Sequence, residues 1–132
     1  MKPELQMQLF KNYPSIFAER DLTIEQSCMA WGIECGDGWY DLIDKLCSDL
    51  IKLNPSVVAM QVKEKFGGLR FYVTITVPIS EKNTDLILER ISKAETDSET
   101  TCEVCGKKGR IRAGGWLRCL CAEHFKQRQN VE

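Results

Sequence analysis

Four of the chain's seven cysteines and its only histidine fall in one short stretch, TCEVCGKKGRIRAGGWLRCLCAEH, running from Thr101 to His124. Within it, Cys102-x2-Cys105 is followed after fifteen intervening residues by Cys121-x2-His124. Two pairs, each with two residues between its members, have the spacing of a tetrahedral zinc site, because each pair can converge on one ion from a tight turn or from one helical turn. An ion held in this way ties the tail together and limits every path the chain can take between its ligands.

Cys105-Gly106 suits a knuckle whose backbone turns sharply, while Cys121 and His124 stand at i and i+3 at the start of a helix through CAEHFKQRQ. Between them, GRIRAGGWLRCL places a Gly-Gly pair between extended residues. Knuckle, hairpin and ligand-bearing helix resemble a treble-clef zinc finger. Cys119 is two residues from Cys121, so in a strand it points the same way and can substitute as ligand; Cys121 is preferred because Cys-x2-His then lies within one helical turn. Four protein ligands close the coordination sphere, which makes the Zn2+ structural. Nucleases built on such a finger need a histidine outside the ligand set as general base, and here the only histidine is already used.

The rest of the composition fits a small intracellular protein. A chain of 132 residues can build one modest core with an appendage. The N-terminal MKPELQMQLFKNYP lacks the apolar run of a signal peptide, and no stretch reaches membrane-spanning length. An odd number of cysteines then reads as thiols and metal ligands in a reducing cytoplasm. Lys plus Arg minus Asp plus Glu is 11 − 15 = −4 for residues 1–98 and 7 − 4 = +3 for residues 99–132. Overall acidity weakens the case for dedicated DNA binding, yet leaves room for a local basic site.

Periodicity predicts a helix over Lys2–Asn12, stopped by Pro14, and a second over Ile24–Trp31, with capping-box spacing at Thr23 and Gln26 and a terminator at Gly32. A third helix, capped by Asp37, carries Trp39, Leu42, Ile43, Leu46, Cys47, Leu50 and Ile51 on one stripe. SVVAMQVKEKFGGLRFYVTITVP then changes to alternation around Gly67-Gly68, which predicts a hairpin with those glycines as its loop. That register opposes Glu64 to Phe71 and Met60 to Ile75 on an apolar face. Lys63, Lys65, Arg70 and Tyr72 fall on the other. After Ser80 comes a helix with Ile87, Ile91 and Ala94 on one face, fading into the polar run AETDSETT, where the domain boundary is placed.

The basic hairpin face, with Tyr72 among Lys63, Lys65 and Arg70, can stack a base and hold a phosphate or accept an acidic peptide; the plain alternative is a wet sheet face. In the tail, Arg110, Arg112 and Arg118, with Lys107 and Lys108, can contact phosphates or an acidic protein surface, or be simply solvated. Trp116 reads as a core plug for a small finger, with an exposed anchor as the alternative. Cys35, ahead of the third helix, has no histidine partner and reads as an unreactive thiol; Cys28 and Cys47 read as core. Glu64 on an apolar face needs a partner, a rim position or a bulge.

KEKFGGLRFYV together with CEVCGKKGRIRAGGWLRCLCAEH resembles a group of small uncharacterised proteins of phages, prophages and bacterial genomes, a likeness that spans most of the chain. The resemblance implies a small protein acting on host machinery, such as an inhibitor of a defence system. The combined expectation is an α+β protein, helices packed on a central antiparallel hairpin over residues 1–97, followed by a treble-clef-type zinc finger over residues 98–132. Its function is expected to be non-enzymatic recognition of a protein partner, with nucleic-acid binding through the same basic residues as the alternative.

Overall fold

The computed structural model describes residues 1–131, an α+β arrangement of four helices, a three-stranded mixed sheet and a separate two-stranded hairpin. Helix α1 spans Pro3–Asn12, with Pro3 at its first position where a missing N–H costs nothing. Its buried residue, Leu9, meets Ile16 and Phe17 of the following turns in the main core. The expected helix over Ile24–Trp31 is not formed. The capping signal is real, since the Gln26 carboxamide accepts from the Thr23 N–H at 3.1 Å, but only a 3-10 turn over Cys28–Trp31 follows. Ile24 and Trp31 are 55% and 63% exposed, so the periodic apolar positions have no surface to be buried against. Cys28 is exposed as well, against expectation.

Gly32, at φ 75, turns the chain into a two-residue strand β1, Ile33–Glu34. It runs parallel to β2, Val57–Lys65, with Ile33 opposite Val62. Between them, helix α2, Tyr40–Leu53, buries Ile43, Leu46, Cys47 and Leu50, the stripe that its sequence announces. Trp39, just ahead of it, is fully buried. Asp37 does not cap this helix; its carboxylate accepts from the Lys2 N–H at 2.7 Å and so pins the start of α1.

β2 pairs antiparallel with β3, Gly68–Ile75, but not in the expected register. Lys65 pairs with Gly68, so the two-residue loop is Phe66-Gly67 rather than Gly67-Gly68. Both loop residues have positive φ, 54 and 86, as a primed turn requires. Opposed pairs become Glu64 with Leu69 and Val62 with Phe71. A bulge between Ala59 and Gln61 then turns Met60 outward and Ala59 inward. At the bulge the Ala59 N–H leaves the ladder and donates to the Ile16 carbonyl at 2.8 Å, outside the hairpin. A phenylalanine at positive φ is strained. Phe66→Asn is therefore expected to raise stability by about 1 kcal/mol, read by urea denaturation.

Helix α3, Glu81–Ser98, starts at the Ser80 cap, whose hydroxyl accepts from the Asn83 N–H. Ile87, Ile91 and Ala94 join the core. The polar run AETDS is not a linker but the last turns of this helix, and the expected 97/98 boundary falls inside its final turn. It runs beside β3, where Ser98 Oγ accepts from the Leu69 N–H at 2.8 Å and Glu95 from the Phe71 N–H at 3.0 Å. The tail adds β4, Arg110–Arg112, paired antiparallel with β5, Arg118–Leu120, and helix α4, Ala122–Val131. Among the described residues no helix is long and apolar enough to cross a membrane.

Candidate metal centre and the groove beside it

The backbone around the first ligand pair forms a closed knuckle. The Cys102 N–H donates to the Lys107 carbonyl at 2.7 Å and the Gly106 N–H to the Cys102 carbonyl at 2.9 Å, with Gly106 at φ 79. The second pair comes from the junction of β5 and α4, where Cys121 precedes the helix and His124 sits in its first turn. One ligand atom from each of Cys102, Cys105, Cys121 and His124 lies within 4.8 Å of all the others. The Cys105 and Cys121 sulfurs are 3.8 Å apart, and His124 Nδ1 lies 3.2 Å from Cys121 Sγ and 3.6 Å from Cys102 Sγ. Four ligands placed ~2.0–2.3 Å from a central tetrahedral ion have edges of about 3.3–3.8 Å, so these side chains can hold a metal ion.

The electrostatics favour a thiolate at Cys102. Burial opposes it, but backbone N–H groups of Cys121, Cys105 and Val104 outweigh that cost and bring the thiol down to about 6. Cys119 behaves differently. It is fully buried in the main core, its S–H donates to the Glu99 carbonyl at 3.2 Å, and burial pushes its thiol up to about 11. It lies outside the four-ligand group. Cys119→Ser is accordingly expected to keep the metal stoichiometry of the unaltered chain, at a cost of about 1 kcal/mol in stability, checked by elemental analysis and thermal melting. Cys35 is likewise buried, and desolvation, then the nearby Glu103 charge, pushes it up to about 12, which removes thiolate chemistry at neutral pH.

The knuckle is bonded into the larger part of the protein through the segment ECGDGW, whose glycines carry no expectation from the sequence. The Gly38 N–H donates to the Glu103 carbonyl at 2.8 Å and the Gly36 N–H to the Glu103 carboxylate at 2.8 Å. Trp39 Nε1 donates to the Thr101 carbonyl at 2.8 Å. Glu103 is only 5% exposed and its other oxygen accepts from Arg118 Nε at 3.4 Å, so the buried carboxylate is both paired and hydrogen-bonded. A Cβ on Gly36 would stand 2.3 Å from the Glu103 carbonyl oxygen. Glycine here allows two backbones to touch, and GDG is the signal that sequence reading passed over.

The basic residues divide into two groups. Arg112 donates to the Leu120 carbonyl at 3.1 Å and lies 4.6 Å from the Phe125 ring centroid; Arg118 serves Glu103. Lys63 and Arg70 are cross-strand neighbours and half-buried, while Lys65, Tyr72 and Arg110 are exposed. Trp116 is not a core plug: it is 73% exposed. Its indole N–H donates to Glu64 Oε1 at 3.2 Å, while Glu64 Oε2 accepts from the Gly67 N–H at 2.8 Å. Glu64 is thus satisfied by the hairpin turn and the finger loop instead of by a cation. Between them lies a groove of about 480 Å³ lined by Lys63, Glu64, Lys65, Phe66, Gly115, Trp116 and Leu117.

No family model, curated protein or solved structure matches the chain.

Proposed function

We propose that this chain is a non-enzymatic recognition protein, held in shape by one structural Zn2+ in a treble-clef-type finger, that binds a protein partner. The donor set supports zinc: three sulfurs and an imidazole suit a borderline-soft ion, and four protein ligands leave no bonding position for water or substrate. Knuckle, hairpin β4–β5 and helix α4 follow one another in treble-clef order. In this reading the protein acts in the bacterial cytoplasm as a regulator or inhibitor of a host enzyme, in line with the phage-borne proteins that its two motifs resemble.

The observation that carries a protein partner is the internal use of two of the finger's arginines, Arg112 and Arg118, beside an open aromatic groove. Arg112 and Arg118 are held by a carbonyl, a ring and a buried carboxylate, so they do not form a track for phosphates. Exposed tryptophan and phenylalanine at a concave site are the residues that dominate protein interfaces. The test is reconstitution. The tagged, metal-loaded chain is expected to carry one zinc and to form a stoichiometric complex with a purified bacterial protein, by size exclusion, while failing to shift single- or double-stranded oligonucleotides at low salt. Oligonucleotide binding that weakens steeply with added salt would transfer the function to nucleic-acid recognition through Lys63, Lys65, Arg70, Tyr72 and Arg110.

A further inference from the structure

The groove between the hairpin tip and the finger loop has features that the fold itself does not need. Phe66 occupies a left-handed turn position, φ 54, where glycine or asparagine serves better, and its ring is 65% exposed. Strain combined with exposure argues that the ring is kept for contact with something outside the chain. Across the groove, Trp116 is presented by Gly114 and Gly115, at φ 96 and 98. A Cβ on Gly114 would meet nothing within 4 Å, so what this loop demands of that glycine is conformation, not space. The indole N–H is already anchored on Glu64, which fixes the ring while leaving most of it in water. A ring immobilised beforehand loses little entropy on binding.

We propose that this groove docks an acidic linear peptide segment that inserts one large apolar side chain between Phe66 and Trp116. The proposal rests on the protein-recognition reading above. Charge sets the ligand class. Lys63 and Lys65 belong to the lining, with the Lys65 ammonium 5.5 Å from the Phe66 ring centroid, and the one carboxylate there, Glu64, has both oxygens accepting N–H groups of the chain itself. Two ammonium groups in a lining that also presents Phe66, Trp116 and Leu117 fit carboxylates placed beside an apolar anchor. A groove of about 480 Å³ has room for such a side chain with its flanking backbone. A nucleic-acid strand fits less well: two lysines around a carboxylate make no continuous row of cations.

The test uses the full metal-loaded chain and fluorescein-labelled synthetic peptides in polarisation titrations. One peptide has a central Phe flanked by Asp and Glu; the others replace Phe by Ala, or the acids by Lys. Oligothymidylate is the fourth probe. The Phe-centred acidic peptide is expected to bind, with affinity falling at least about tenfold for the Ala-centred peptide and for the Trp116→Ala chain. Phe66→Asn relaxes the turn, so a similar loss in that variant, with metal content and melting temperature maintained, cannot be ascribed to unfolding. Lys65→Ser is expected to lose about threefold at low salt and to flatten the salt dependence. Absence of anchor-dependent binding at millimolar peptide, binding by Trp116→Ala and Phe66→Asn as tight as that of the unaltered chain, or stronger binding of oligothymidylate each overturns the proposal. A purified protein partner that binds both variants unchanged overturns this groove and leaves protein recognition standing; failure to find any protein partner overturns both.

Discussion

Cys105→Ser is expected to abolish metal binding and to release the tail from the rest of the protein. A structural zinc supplies about 10–16 kcal/mol to small finger peptides near neutral pH, more than a hairpin of two three-residue strands and one short helix can generate alone. The tail's own apolar cluster is small, Cys102, Leu120 and Cys121 with Phe125 against it. The consequence reaches further than the tail, because Thr101 and Glu103 supply acceptors to Trp39, Gly36 and Gly38. Zinc per chain should fall from about one to near zero, and the melting temperature should drop by more than about 10 °C if several kcal/mol are lost. Chelation of the unaltered protein should reproduce the same melting curve. A Cys105→Ser chain that keeps its ion and its melting temperature would remove Cys105 from the ligand set.

Gly38→Ala should be nearly as damaging without touching a ligand. Its Cβ would lie 2.1 Å from the Cys102 carbonyl oxygen, 2.6 Å from the Glu103 carbonyl carbon and 2.7 Å from the Gly106 nitrogen. All three are backbone atoms of the knuckle, so no side chain can rotate away. The knuckle must shift, and with it the Gly38 N–H bond to Glu103. A loss of about 3 kcal/mol or more is expected by denaturant titration, together with weaker zinc retention in a chelator competition. Gly114→Ala is the control: its open surroundings leave only the conformational penalty of positive φ, about 1 kcal/mol. Similar losses in the two variants would mean that the close approach at Gly38 is not what holds the knuckle in place.

What could be read from the sequence was local in origin. The ligand pairs declare themselves by spacing, and Trp39 through Leu50 by helical period, because both signals are complete within one segment. What escaped was decided by partners far away in the chain. Strand β1 has two residues and no period to detect; it exists because Val62 and Lys63 offer an edge. The hairpin register differs because two adjacent glycines outweigh Phe66 as turn formers, whereas Gly67 and Gly68 are both buried, Gly67 against Ile111 and Gly68 against Arg70 and Glu99. The bulge that turns Met60 outward is bonded to the Ile16 carbonyl, and Trp116 is bonded to Glu64, partners that lie far from them in sequence. The GDG segment likewise carries its meaning only once the knuckle is laid against it.

The bonds from Leu69 and Phe71 of β3 to Ser98 and Glu95 of α3 have an effect beyond the fold of one molecule. β3 is the outermost strand of its sheet, and outermost strands invite a neighbour's backbone to extend the ladder into fibrils. Here those two donors are already engaged by a helix that also blocks the approach. Over Leu69–Phe71 that side of the sheet is therefore closed to an added strand, which shortens the edge that a neighbouring copy can pair with.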